Sequence, residues 1–259
     1  MKTSLNKYSD GSWFSLNDVN IDGDEVNAVL CFGNKLQMAR NKVYATLRKK
    51  YQNAEISISS LSVEILQSTV KDDSLVAATI QFDSTEIRSV STLIAVHDSS
   101  FSTGKFLANE AKELPGAALS YPLSMIIPGL DKYLVRTIFS VNEEEKSMVF
   151  AGDVPEGSNV RPMQANFDRL RIAASNPAVL SAKDSLPDDS FALLVSCVGR
   201  KLFLGPRLED EIDAARQTLG TNVPVLGFYP YGEISPFNEG GDCQLHNQTM
   251  TITKFYELQ

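Results

Sequence analysis

Three short stretches in the C-terminal part of the chain collect the residue types that hold small polar ligands: Ser196-Cys197-Val198-Gly199-Arg200, Gly227-Phe228-Tyr229-Pro230-Tyr231-Gly232-Glu233-Ile234, and Cys243-Gln244-Leu245-His246-Asn247-Gln248-Thr249. The Arg200 guanidinium is a planar fork for a carboxylate, Glu233 is a partner for an amine, and His246 and Asn247 offer directional hydrogen bonds. Glycines at strand ends let a ligand approach the backbone closely. The candidate ligand-binding residues are therefore Cys197, Gly199, Arg200, Tyr229, Tyr231, Gly232, Glu233, His246 and Asn247. The same residue types admit a structural reading, in which Arg200 and Glu233 pair with each other or cap backbone groups and hold two strands together.

Catalysis needs more than these stretches supply. Cys197 ends an apolar strand, where a free thiol is commonly an inert interior group. A Cys197 nucleophile with His246 as base has no third orienting group or oxyanion turn beside it, so the chain is expected not to be an enzyme. His246 itself reads either as a hydrogen-bonded structural histidine or as a ligand. The other histidine, His97, closes an apolar strand next to Asp98, and two histidines are too few for a multi-histidine metal centre. Asp22, Asp24 and Glu25 lack the glycine and the closing bidentate glutamate of a calcium loop. No cofactor is expected from the residues alone.

The elements that position these residues follow from hydrophobic periodicity. Residues 1–26 are polar and turn-rich, with Asp10-Gly11 and Asp22-Gly23, and read as an arm over the surface. The run Asn27 to Phe32 reads as a buried strand, and Leu36, Ala39, Val43, Leu47 and Tyr51 then recur at helical steps. That helix ends in Arg48-Lys49-Lys50, cations suited to the negative end of its dipole. Strands are expected at Ala54 to Ser60, Asp73 to Phe82 and Ser91 to Val96, followed by a polar joint at Asp98 to Gly104 and a short helix to Leu114. Strands near Ala117 to Ile127 and Lys132 to Phe139 precede a hairpin ending at Phe150, and a helix from about Met163 is expected to stop at Asn176-Pro177. The remainder reads as a strand (Phe191 to Cys197), a helix with Ile212, Ala215 and Leu219, a strand (Val223 to Phe228) and a long strand (Gln244 to Tyr256).

The last third repeats the first. An apolar strand reaches a glycine (Gly33, Gly199), a helix follows, a second strand leads to Glu-Ile (Glu64-Ile65, Glu233-Ile234), and a third ends at Phe82 or Phe255. Glycine-to-glutamate intervals are 31 and 34 residues, and glutamate-to-phenylalanine intervals 18 and 22. The expected fold class is α/β: a two-lobe mixed sheet built from repeated strand-helix-strand units, with a ligand cleft between the lobes or at strand ends.

Composition narrows the function classes. With 32 acidic against 24 basic side chains and a net charge of −8, the field repels phosphate backbones and anionic lipid, so neither nucleic acid nor membrane is an expected partner. Cys31, Cys197 and Cys243 lie far apart, odd in number and without a CxxC pair, which fits a reducing, cytoplasmic setting. The N-terminus has no apolar h-region, and the longest uncharged run, Leu114 to Leu130, is broken by Pro115, Pro122 and Pro128.

The motifs Tyr133-Leu134-Val135-Arg136, Ala151-Gly152-Asp153-Val154-Pro155-Glu156-Gly157, Cys197-Val198-Gly199-Arg200, Leu204-Gly205, the Gly227 to Ile234 stretch and His246-Asn247-Gln248-Thr249 together resemble the FIST C-terminal domain over roughly residues 105–257. Residues 27–96 look like a reduced FIST N-terminal domain, in which Ile58 to Ile65 keeps only Ser60, Glu64 and Ile65 of that domain's signature. The resulting organisation is a polar arm (1–26), a reduced FIST N-terminal-like lobe (27–104) and a FIST C-terminal-like domain (105–259). The resemblance implies a sensory module of bacterial signal transduction that binds a small molecule, with amino acids suggested. Its signal passes to a partner such as a histidine kinase or a diguanylate cyclase. Because some family members resemble haem-binding nitric-oxide sensors, the resemblance also raises haem with His246 or His97 as axial ligand. A ligand-free interaction scaffold is the remaining alternative.

Overall fold

A computed structural model of the chain describes residues 1–60, 64–71, 74–85, 87, 119, 121–126, 133–142, 144–181, 190–220, 222–236, 241 and 243–257. Strands β1 (Lys2–Ser9) and β2 (Ser12–Ser15) form a hairpin. Strand β3 (Ala28–Gly33) leads through helices α1 (Lys35–Arg40) and α2 (Val43–Lys50) to β4 (Glu55–Ser60), then β5 (Glu64–Leu66), β6 (Thr69–Lys71) and β7 (Leu75–Gln81). The middle of the chain supplies β8 (Leu123–Ile126), β9 (Tyr133–Arg136), β10 (Ile138–Asn142), β11 (Ser147–Phe150), β12 (Val160–Pro162) and helix α3 (Phe167–Ser181). The last part contains β13 (Phe191–Ser196), α4 (Val198–Leu204), α5 (Leu208–Leu219), β14 (Val225–Phe228), β15 (Glu233–Pro236), β16 (Cys243–His246) and β17 (Met250–Phe255).

The repeat legible in the sequence is a repeat of topology. In each copy a strand, its helices and a parallel neighbour are followed by a hairpin and a returning antiparallel strand: β3 lies between parallel β4 and antiparallel β7, and β13 between parallel β14 and antiparallel β17. The recurring glutamate has a mechanical reason. Glu64 accepts the Ser74 hydroxyl at 2.9 Å, and Glu233 accepts the backbone N–H of Thr249 at 3.0 Å as well as its hydroxyl, each pinning the residue that opens the returning strand.

Two five-stranded sheets result, ordered β2-β1-β7-β3-β4 and β17-β13-β14-β5-β6. Hairpin β5–β6 belongs to the first repeat by sequence but pairs with β14 of the second. Period-two alternation then sorts side chains into three cores. In β13, Phe191 and Leu193 point to the core between the sheets while Ala192 and Leu194 point to the core under α5. In β3, Phe32 faces the same inter-sheet core, where its ring lies 4.6 Å from that of Phe228, while Val29 and Cys31 face α2. The molecule is thus a four-layer sandwich of helix, sheet, sheet and helix. The space between the two halves, one of the places expected to hold a ligand, is filled by apolar side chains.

Three local expectations change. Residues 1–15 are not an arm: β1 pairs with β7 over seven register positions and buries Leu5 completely. Its polar residues Thr3, Ser4 and Asn6 are buried too, and Asn6 Nδ2 donates to the Ser4 carbonyl at 3.1 Å, so polarity concealed an interior strand. Asp10 and Gly11, at φ of 50° and 85°, make the left-handed two-residue turn that such a hairpin needs. Helix α3 continues past Asn176-Pro177 to Ser181. The long C-terminal strand is split by the turn 247–249, where Gln248 has a φ of 55°. The expected strand Ser91–Val96, the joint at Asp98–Gly104, the short helix to Leu114 and His97 lie outside the described residues.

Gly227 sits where β14 runs against β13, and a Cβ there would collide with the Leu194 backbone carbonyl. Gly227→Ala is expected to lower unfolding free energy by about 1–3 kcal/mol, the usual range for forced overpacking, as read from urea denaturation.

Candidate functional site

The three motif stretches converge on the turn that joins β16 to β17. The Cys197 N–H donates to the Thr249 carbonyl at 3.0 Å, and Glu233 lies opposite His246 in the β15–β16 ribbon. Asn247 accepts the Thr137 N–H through Oδ1 at 3.2 Å and donates to the His246 carbonyl, which fixes the turn to the start of β10. Gln248 donates to the Leu119 carbonyl at 3.1 Å. Gly199 faces the Gln248 side chain, and Gly232 faces Leu245.

Arg200 does not pair with Glu233. It is 2% exposed and its guanidinium is committed to Glu211, with Nε 2.9 Å and Nη2 2.7 Å from Oε2. Its remaining donors go to the carbonyls of Gln248, at 3.3 Å, and Leu170, at 2.8 Å. The second Glu211 oxygen accepts the Tyr229 hydroxyl at 2.6 Å and the Ser196 hydroxyl at 3.1 Å. Burial and the neighbouring Glu211 charge push the Tyr229 phenol well above its ordinary range, so it stays a donor. Of the candidate binding groups, Arg200 and Tyr229 are therefore part of a satisfied interior network. Glu211 was missed in the sequence, although a signal existed: it falls on the apolar stripe Leu208, Ile212, Ala215 and Leu219, at a core-facing position.

Glu233 is a different case. Burial raises its carboxyl to about 8, against the hydrogen bond from Thr249 and the Arg200 charge, and among the described residues its Oε2 has no hydrogen-bond partner. Cys197 is buried beside it, and burial together with the Glu233 charge raises its thiol to about 12. It therefore stays protonated and is a poor nucleophile. His246 is buried, its Nε2 is 2.9 Å from the Ser235 carbonyl, and burial lowers its pKa, so it is a neutral imidazole donating through Nε2. Tyr231 stands apart at 40% exposure.

Against the outer side of this turn lies a cleft of about 810 Å³, a size suited to a small organic ligand. Its walls come from the start of α3, from β9, from the β15–β16 ribbon and from consecutive residues 248–253, so it runs along the outer edge of β17. Of the nine candidate residues, Arg200 and His246 line it; Cys197, Gly199, Tyr229, Tyr231, Gly232, Glu233 and Asn247 do not. Gln248 and Thr249 line it from the turn, and Met163, Arg169 and Leu170 are lining residues that no sequence motif marked. Among the described residues no three His, Cys, Asp or Glu side chains come together as a metal site, and no helix is long and apolar enough to cross a membrane.

The buried pair and the buried acid make separate predictions. Glu211→Ala leaves Arg200 charged and unpaired in the interior and is expected to cost about 3–5 kcal/mol in denaturant unfolding. For Glu233, a folded pKa of about 8 above an ordinary 4.5 means that the folded state holds the proton more tightly. The contribution of this one group is then greatest below about pH 4.5, falls as pH rises from about 4.5 to about 8, and levels off above. Glu233→Gln should remove that part of the slope in melting curves taken across this range.

A family model described as the FIST C domain matches residues 103–236. The match does not extend over residues 27–102, which the resemblance had placed in a reduced N-terminal FIST lobe. No curated protein matches the chain.

Proposed function

Since the match spans more than half of the chain, the protein belongs to the FIST C domain family of sensory domains in signalling proteins, and we propose that it senses a small molecule in the cleft along β17 and passes the signal to a separate protein. The observation that carries this reading is the position of the cleft against the turn 247–249. Gln248 and Thr249 line it, and the same two residues hold Arg200 through a carbonyl, Glu233 through a hydroxyl and N–H, and Cys197 through a carbonyl. A ligand that shifts the turn therefore disturbs α4, α5 and β15 together. Such a ligand acts by favouring one arrangement of this seam over another, and a partner such as a histidine kinase or diguanylate cyclase reads the arrangement it selects.

The protein acts without catalysis on this reading: the Cys197 thiol, pushed up to about 12 by burial, stays protonated and supplies no thiolate nucleophile. His246 does not suit haem as it stands, because axial ligation through Nε2 requires the bond to the Ser235 carbonyl to break. The unpaired cysteines support a cytoplasmic setting.

Isothermal titration against a panel of small metabolites, amino acids and simple carboxylic acids among them, is expected to give saturable heat that Ala173→Leu, which fills the cleft from α3, removes without lowering the melting temperature. Hydrogen exchange at residues 248–250 should slow when the site is occupied. Heat unchanged in the filled variant places the ligand elsewhere and overturns the reading.

A further inference from the structure

The walls of the cleft restrict what it holds. Val135, Met163, Leu170, Ala173, Met250 and Ile252 make its body apolar. No aspartate or glutamate is among its described lining residues, although acids outnumber bases 32 to 24 in the chain. Two arginines line it, and they differ. Arg200 is neutralised by Glu211, whereas Arg169 is exposed on the first turn of α3, and among the described residues nothing engages its guanidinium. The Asn166 side chain caps α3 at the Arg169 N–H, which fixes the backbone from which this arginine projects.

An apolar body, one uncommitted cation and no acid select against an α-amino acid, whose ammonium needs a carboxylate. Glu233, the acid expected to meet it, does not line the cleft. Resting on the sensory reading above, we propose that the cleft binds an organic monoanion with an apolar body, a medium-chain or aryl-alkyl carboxylic acid. Its carboxylate pairs with Arg169 and its chain lies over Met163, Leu170 and Ile252. Because guanidinium grips carboxylate through two parallel hydrogen bonds, the headgroup is distinguished from a neutral one of the same length.

The test compares octanoate, 1-octanol and leucine by isothermal titration on the full chain. Octanoate is expected to bind at least tenfold more tightly than octanol. Arg169→Gln, a surface change, should weaken octanoate about tenfold and leave octanol unchanged, while Ala173→Leu removes both. Octanol binding as tightly as octanoate, or octanoate indifferent to Arg169→Gln, overturns the anion selection. Leucine bound in place of octanoate overturns the ligand class but leaves the sensory reading standing. Absence of binding by all three overturns this proposal alone, the wider reading being decided by the metabolite panel and the filled variant.

Discussion

The ion pair between Arg200 and Glu211 is the constraint on which the C-terminal half of the fold depends. Two charges removed from water are tolerated only when their remaining hydrogen-bonding capacity is used, because each unpaired polar atom in the interior costs its full desolvation. Here the arginine also donates to Gln248 and Leu170, and the glutamate also accepts from Tyr229 and Ser196. Six segments meet at this one contact: the ends of β13 and β14, helices α3, α4 and α5, and the turn before β17. The pair fixes their mutual distances in a way that apolar packing alone does not, since packing tolerates sliding and two directional hydrogen bonds onto one carboxylate oxygen do not.

Much of this was legible in the residues. The repeated strand-helix-strand pattern, with its two Glu-Ile positions, predicted two matching topological units, and the glutamates proved to do the same job in both, each holding the hydroxyl residue that begins the returning strand. The convergence of the three C-terminal motifs was legible as well. The partner of Arg200 was not, because an arginine side chain reaches several acids and sequence spacing does not choose among them. Glu211 showed itself only as a charge on an apolar stripe. Strand β1 was hidden for a related reason: its buried positions carry Thr3, Ser4 and Asn6, residue types that read as solvated in a sequence. The cleft was invisible because its walls come from residues far apart in the chain, contributed for shape and apolarity and not for a motif.

The two repeats part ways at their hairpins, and the cleft is where they do so. In the first, β5 and β6 cross over and extend the opposite sheet beyond β14. In the second, β15 and β16 stay a separate ribbon, and Ser235, Pro236 and His246 from it wall the cleft. Two copies of one topology thus yield a sheet extension on one side and a binding surface on the other. The inter-sheet core, packed through Phe32, Phe228, Phe191 and Leu226, holds the halves together, and the cleft lies outside it, along the outer edge of β17.

The three thiols are unequal in reach. Cys31 and Cys197 are interior, while Cys243 is exposed and lies in register with Pro236, a wall residue. A maleimide dye offered to the native protein therefore has one address, a few ångströms from the recess. The chain as it stands thus offers a single reactive handle beside the recess, with no cysteine to engineer in or remove.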